Sequence, residues 1–130
     1  MGHSHTDLCY HIVFATKNRA LLIEPAVEKI VWSILWKICL RIGLHPYAVG
    51  GVEDHVHVAL SIPASINVAG AVGKLKNLAT REIRESIPGF QDFEWQVGYG
   101  AFTFSYRDLD GVVRYIHSQR MHHERGRKAD

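Results

Sequence analysis

Cysteine is scarce in this chain. Cys9 and Cys39 are the only two, both in apolar surroundings and 30 residues apart. That excludes a disulfide framework and a thiolate metal cage, and it suits a reducing compartment. Long apolar runs are missing as well: the stretch from Ile30 to Ile42 is interrupted by Ser33, Lys37 and Arg41 and is too short to span a bilayer. The opening Met-Gly-His-Ser-His-Thr has no apolar signal region, so a cytoplasmic location is expected and no membrane partner. No repeat, low-complexity block or Pro/Ser-rich linker divides the 130 residues, which predicts one domain over 1–130 with 125–130 as a flexible basic tail. Charge of one sign is also lacking. Fifteen basic against thirteen acidic side chains leave +2, which does not by itself announce a nucleic-acid binder. With 47% hydrophobic and 22% charged residues, disorder is excluded too.

What is present is a clear alternation of patterns. Leu8 to Ala15 is β-branched, aromatic and apolar, a buried strand followed by the polar turn Lys17-Asn18-Arg19. Pro25 suits the first turn of a helix and Gly43 its stop, with Val27, Ile30, Val31, Ile34, Leu35, Ile38 and Ile42 at helical spacing between them. Trp32, Trp36 and Cys39 widen that helix's apolar face, through either a thick core or burial against a second copy of the chain. Strands are predicted over Tyr47–Val52 and His55–Ile62, a helix over Asn67–Arg84, a strand over Trp95–Phe104 and a last helix from about Asp108 to Glu124. The order β-α-β-β-α-β matches the split βαβ pattern. It predicts an α+β, ferredoxin-like fold with an antiparallel sheet, two covering helices and one extra C-terminal helix.

Two features bear on chemistry. His55 and His57, two apart on a strand, point to one face and can converge on a metal ion while Val56 faces the core. The plainer reading is a pair of surface histidines on a half-exposed strand. Asp54 and Glu53 precede them, either orienting an imidazole or standing solvated in a turn. On the last helix Tyr115 and Gln119, four apart, share a face with Val112 and His122. Tyr115 reads equally as a half-buried core residue with a wetted hydroxyl, and Gln119 as solvent-exposed. Taken together, two imidazoles and an amide oxygen make a nitrogen/oxygen site suited to Mg²⁺ or Mn²⁺ rather than structural zinc. A tyrosine hydroxyl beside such an ion can attack a phosphodiester and store the bond as phosphotyrosine.

Four stretches resemble the single-tyrosine HUH transposases of small bacterial insertion sequences and their REP-associated relatives. They are YHIVFATKNR (Tyr10–Arg19), DHVH (Asp54–His57), WQVGYGAF (Trp95–Phe102) and YIHSQ (Tyr115–Gln119) with His122-His123. The resemblance implies His55, His57 and Gln119 as ligands of Mg²⁺ or Mn²⁺. It implies Tyr115 as the nucleophile that forms a 5′-phosphotyrosine with single-stranded DNA and releases a 3′-hydroxyl. It further implies recognition of hairpins at element ends, a homodimer, no nucleotide cofactor, and association with the nucleoid when DNA is bound. Ser118 stands where many members have Asn, and the chain stops soon after His123, which favours the shorter insertion-sequence type.

Basic residues gather in two places consistent with DNA. Arg114, Arg120, Arg125, Arg127 and Lys128 stand against Glu124, while Lys74, Lys76, Arg81 and Arg84 ride the second helix. Lys17, Arg19, Lys74, Lys76, Arg81 and Arg120 are the candidate DNA contacts, and solvated helix faces are the alternative. Tyr99, Phe102 and Phe104 can stack unpaired bases or pack in the core. Two other functions stay open: a non-catalytic, domesticated module that holds DNA or RNA hairpins, and a small metal-dependent hydrolase using His55, His57 and a carboxylate such as Asp54.

Overall fold

Val56, Val58 and Leu60 are buried and alternate along one strand with His55, His57 and Ala59, which are buried too. A strand buried on both faces needs a layer on each side, and this chain supplies both. In the computed structural model, residues 5–121 are described. β1 (Cys9–Ala15) leads through a 3-10 turn at Lys17–Arg19 to α1 (Pro25–Arg41), then β2 (His45–Val52), β3 (His55–Ser61), α2 (Val68–Ser86), β4 (Gly100–Phe104), a second 3-10 turn at Tyr106–Asp108, and α3 (Leu109–His117). The four strands lie in the order β2-β3-β1-β4 with every neighbouring pair antiparallel. This is the α+β, ferredoxin-like arrangement expected from the sequence. Among the described residues no helix is long and apolar enough to cross a membrane.

The larger core lies between the sheet and the α1–α2 layer. Ile12, Phe14, Val56, Val58 and Leu60 meet Val31, Leu35 and Ile38 of α1 and Val72, Leu75, Ala79 and Ile83 of α2 there. Pro25 at the first turn pre-sets α1's helical φ. At its far end Gly43 adopts φ +86°, so that Leu44 N–H reaches the Cys39 carbonyl at 2.9 Å and Gly43 N–H the Leu40 carbonyl at 3.3 Å. Those two bonds satisfy carbonyls that the helix end would otherwise strand. The Asn67 side chain accepts from Gly70 N–H at 3.0 Å and caps α2. Cys9 and Cys39 are both buried as free thiols, and burial pushes the Cys39 thiol up to about 12.

α3 covers the opposite face through a small cluster: Ile116 against Ala48 and Ala59, with Tyr47, Phe104, Val112 and Val113 around it. Ile116 is its one fully buried apolar side chain, a contribution of about 1.5–3 kcal/mol. The approach is close because Gly50 has no side chain: a Cβ built there would sit 2.5 Å from the Ile116 carbonyl oxygen. Gly50 pairs with His57 across the sheet, so this contact fixes α3 directly over the histidine face.

Two elements differ from the sequence expectation. The predicted strand Trp95–Phe104 is interrupted. Trp95 bridges to Thr16 and Gln96 N–H reaches the Ala15 carbonyl at 2.8 Å, but the regular ladder resumes only at Gly100, opposite Val13. The intervening chain leaves the sheet as a crest with Gly98 at φ +95°, and the Lys76 ammonium donates to the carbonyls of Gln96 at 2.7 Å and Gly98 at 2.8 Å. A side chain from α2 thus holds out the crest that residues 96–98 form. The last helix, expected to continue to Glu124, breaks at Ser118, whose hydroxyl donates to the Arg114 carbonyl at 2.8 Å; helical residues resume over 119–121. The expected stretch beyond 121, including His122, His123 and the basic residues Arg125, Arg127 and Lys128, lies outside the described residues, as does the 125–130 tail.

Gly50→Ala is expected to lower stability by about 1–3 kcal/mol through overpacking and to raise hydrogen exchange in α3 before the rest of the fold. Urea denaturation and exchange mass spectrometry read both effects.

Candidate active site

The antiparallel register dictates which side chains meet on the α3 side. Val13 lies opposite His57 and Ala15 opposite His55, while His11 lies opposite Ala59, one diagonal step from His57. The His11 Nε2 and His57 Nδ1 atoms are 2.7 Å apart in a hydrogen bond, so one imidazole donates and the other accepts. His55 is held from its other side: its Nδ1 lies 2.7 Å from an Asp54 carboxylate oxygen, and the second Asp54 oxygen is 3.3 Å from the Arg19 guanidinium. In His55 and His57 it is Nδ1 that meets such a partner, which orients each ring and makes Nε2 the atom that could face a metal. The two rings stand 5.0 Å apart, centre to centre.

His55 is 8% and His57 6% exposed, so they are not surface histidines on an open strand. Burial depresses the His11 imidazole below its ordinary value, because a charged ring there would forgo hydration.

α3 brings the phenol to this face. The Tyr115 ring lies 5.9 Å from His57 at an interplanar angle of 86°, and 6.1 Å from His11 at 77°. It is 45% exposed, which leaves one side of the phenol open to a large substrate. Gln119 is 2% exposed, against the solvent-exposed reading, and its amide nitrogen donates to the Tyr115 carbonyl at 3.2 Å. That bond commits the nitrogen and leaves the oxygen as the amide's donor atom toward a cation. Among the described residues no three His, Cys, Asp or Glu side chains group closely enough to hold a metal ion. The donor atoms that two imidazoles and the Gln119 amide oxygen offer are of the nitrogen and oxygen types that Mg²⁺ or Mn²⁺ can accept. The Asp54 carboxylate is engaged by both His55 and Arg19.

His11 is the member of the constellation to which sequence reasoning gave no role. It sits within YHIVFATKNR, and only the strand register turns it toward His57.

The six candidate DNA contacts separate into different environments. Lys74 and Arg81 are exposed on α2, in the layer opposite Tyr115, and make no ion pair among the described residues. Lys17 pairs with Glu94 at 2.7 Å, and its hydrogen bond holds the Glu94 carboxyl below the usual range. Arg19 braces Asp54, and Lys76 supports the crest. Arg120 is turned inward: its guanidinium bonds Glu53 and, at 2.8 Å, Glu28. That ties the residue after Gln119 to the β2–β3 turn and to α1.

The family model for IS200-like transposases matches residues 4–119. Over 110 residues the chain is 28% identical to the transposase of insertion sequence element IS200 from Salmonella typhimurium, a match covering 85% of this chain and 64% of that protein. The chain thus spans just under two thirds of that relative's length. Its fold is similar to the crystal structure of a candidate transposase from Deinococcus radiodurans R1, with TM-score 0.70, 24% identity, and 92% and 96% of the two chains covered. It is also similar to a REP-associated tyrosine transposase bound to a REP hairpin, with TM-score 0.65, 14% identity, and 95% and 74% covered.

Arg120→Ala is expected to cost about 1–3 kcal/mol, between the values for exposed and buried ion pairs, because it leaves two half-buried carboxylates facing each other. Denaturant melts measure the loss. The salt dependence of DNA binding should stay at the wild-type slope in that variant, whereas Lys74→Ala should make it shallower by about one unit.

Proposed function

We propose, from the premise that the chain belongs to the IS200-like transposase family, that it cleaves and rejoins single-stranded DNA through a covalent bond to Tyr115. The observation that carries this reading is the Tyr115 ring standing 5.9 Å from a buried His57 whose own orientation is held by His11.

The Tyr115 hydroxyl would attack the phosphorus of a phosphodiester. A bond from the phenol oxygen to phosphorus forms, the bond from phosphorus to the 3′-oxygen breaks, and the 3′-oxygen leaves as a hydroxyl after taking up a proton. The product is a 5′-phosphotyrosine with a free 3′-end, and the reverse attack by a 3′-hydroxyl rejoins DNA. His55, His57 and Gln119 would hold Mg²⁺ or Mn²⁺, which when bound polarises the phosphodiester and offsets its charge. Asp54 and His11 keep the two rings in the orientation this needs. Burial of both histidines lowers the local dielectric around the reacting phosphate.

Hairpin recognition at the element's ends and a homodimer complete the reading. In support of the first, the structural relative of similar fold is bound to a REP hairpin. In support of the second, Trp32, Trp36 and Leu40 recur every four residues on α1, with Trp36 38% and Leu40 55% exposed. Lys74 and Arg81 supply exposed positive charge for the DNA backbone, and DNA bound there would place the chain on the nucleoid.

The test is incubation with Mg²⁺ and single-stranded oligonucleotides spanning the DNA on either side of the coding sequence, chosen to include any imperfect palindrome found there, followed by a denaturing gel. Tyr115→Phe should lower the covalent band on the order of 10³-fold or more while hairpin binding stays within about threefold. Capture at the wild-type level by that variant would overturn the assignment, and tight binding without any adduct would favour the non-catalytic module. Asp54→Asn should weaken metal-supported adduct formation by about 10–100-fold, with more Mn²⁺ restoring part of it.

A further inference from the structure

The turn at Lys17–Arg19 brings two basic side chains to the edge of the site, and they are engaged differently. Lys17 is neutralised by Glu94 at 2.7 Å. Arg19 commits only part of its guanidinium: Nε lies 3.3 Å from the Asp54 carboxylate, and the Nη groups make no hydrogen bond or ion pair among the described residues. The side chain is 64% exposed. It lines a cavity of about 370 Å³ whose wall also includes His55, Tyr99 and Phe102.

The turn is built to hold this side chain in place. Thr16 is fully buried; its hydroxyl donates to the Ala20 carbonyl at 2.7 Å and its N–H to the Asp54 carbonyl at 2.9 Å. Arg19 N–H returns to the Thr16 carbonyl at 3.0 Å, and Asn18 N–H donates to the Gln96 side chain at 2.8 Å. The turn and Asp54 thus form one hydrogen-bonded unit. Within it Arg19 sits in the left-handed region at φ 56°, beside Asn18 at 57°. An L side chain occupies that region at a cost, and such strain persists where surrounding bonds over-determine it. A chain of contacts results: His55 Nδ1 to Asp54 at 2.7 Å, Asp54 to Arg19 Nε, and Arg19 to the open cavity. Bracing Asp54 needs one N–H. A planar fork with its other donors uncommitted is the shape that takes phosphate oxygens.

We propose that Arg19 grips a backbone phosphate of the DNA strand lying in this cavity and, through the Asp54 carboxylate that its Nε bonds, sets the orientation of His55. The inference rests on the DNA-cleaving reading above and adds to it a positioning residue that couples strand occupancy to a histidine of the site. Arg19 reaches His55 from the Nδ1 side, away from the Nε2 that would face a metal. The phosphate it takes is therefore a neighbour of the one attacked, and it is recognised as a phosphodiester whatever base it carries. In the empty cavity one end of the guanidinium is free to move. With a phosphate seated, the side chain is held by an anion at each end, so the Asp54–His55 pair is most firmly fixed when a strand is there to be cut.

The test replaces single phosphates on either side of the cut by uncharged methylphosphonate and compares the full-length wild type with Arg19→Gln. On the unmodified oligonucleotide, at saturation, Arg19→Gln should slow adduct formation on the order of 10²-fold. With methylphosphonate at one flanking position that penalty should shrink to about threefold or less, because wild type has then lost the same contact. A second readout needs neither DNA nor turnover: Mn²⁺ affinity of the DNA-free protein, followed by electron paramagnetic resonance, should fall about fivefold in Arg19→Gln, less than loss of a direct partner of the histidine costs. If Arg19→Gln does not fold, Arg19→Lys, which keeps the charge and loses the fork, should show the same position-specific pattern from a penalty of about tenfold. A penalty equal at every flanking position overturns the phosphate grip, and Mn²⁺ affinity at the wild-type value overturns the coupling to His55. Covalent capture of the unmodified oligonucleotide by wild-type protein is the internal control. Its presence beside a position-independent penalty overturns the grip alone, whereas its absence overturns the cleavage reading on which the grip rests.

Discussion

The approach of α3's main chain to the bare backbone of Gly50 is the contact on which the site depends. It lets a short helix with a single fully buried apolar side chain lie close enough to β3 to cover His55 and His57. A larger residue at position 50 would hold the helix off, and Tyr115 with it. Because Gly50 pairs with His57, the place where the helix touches the sheet and the place where the phenol meets the imidazole are one neighbourhood. Packing and chemistry are thereby coupled through one missing side chain.

The helix is held lightly in other respects. α1 buries five side chains and α2 another five, whereas α3 buries Ile116. The Arg120 guanidinium, tied to Glu53 and Glu28, supplements that small apolar area with directional bonds just beyond the Ser118 break. Lightly held elements are the ones that open first, and of the three helices the one carrying the phenol is the least firmly anchored.

Much of the architecture was legible in the one-dimensional pattern, and the misses have identifiable causes. The strand, helix and strand signals of β1, α1, β2, β3 and α2 lie within about two residues of the observed elements, since long apolar periodicities and the Pro25 and Gly43 punctuation are local properties. The alternation of Trp95–Phe104 also read as one strand, but Lys76, nineteen residues upstream of Trp95, stabilises a crest within it. The continuous last helix failed at Ser118, where a hydroxyl competes for helix carbonyls. Arg120 looked like a DNA contact because its carboxylate partners are 67 and 92 residues away in the chain.

The sequence by itself determined the strand parity that sets His55 and His57 on one face and the helical spacing of Tyr115 and Gln119. Those follow from periods of two and 3.6 residues, which are written along the chain. Tertiary structure alone decided that the histidines are buried, that His11 joins them across a strand pair, that Asp54 serves His55 and Arg19, and that Arg120 faces inward. Each of these is a contact between residues whose separation along the chain carries no information until sheet register and the seating of α3 bring them together.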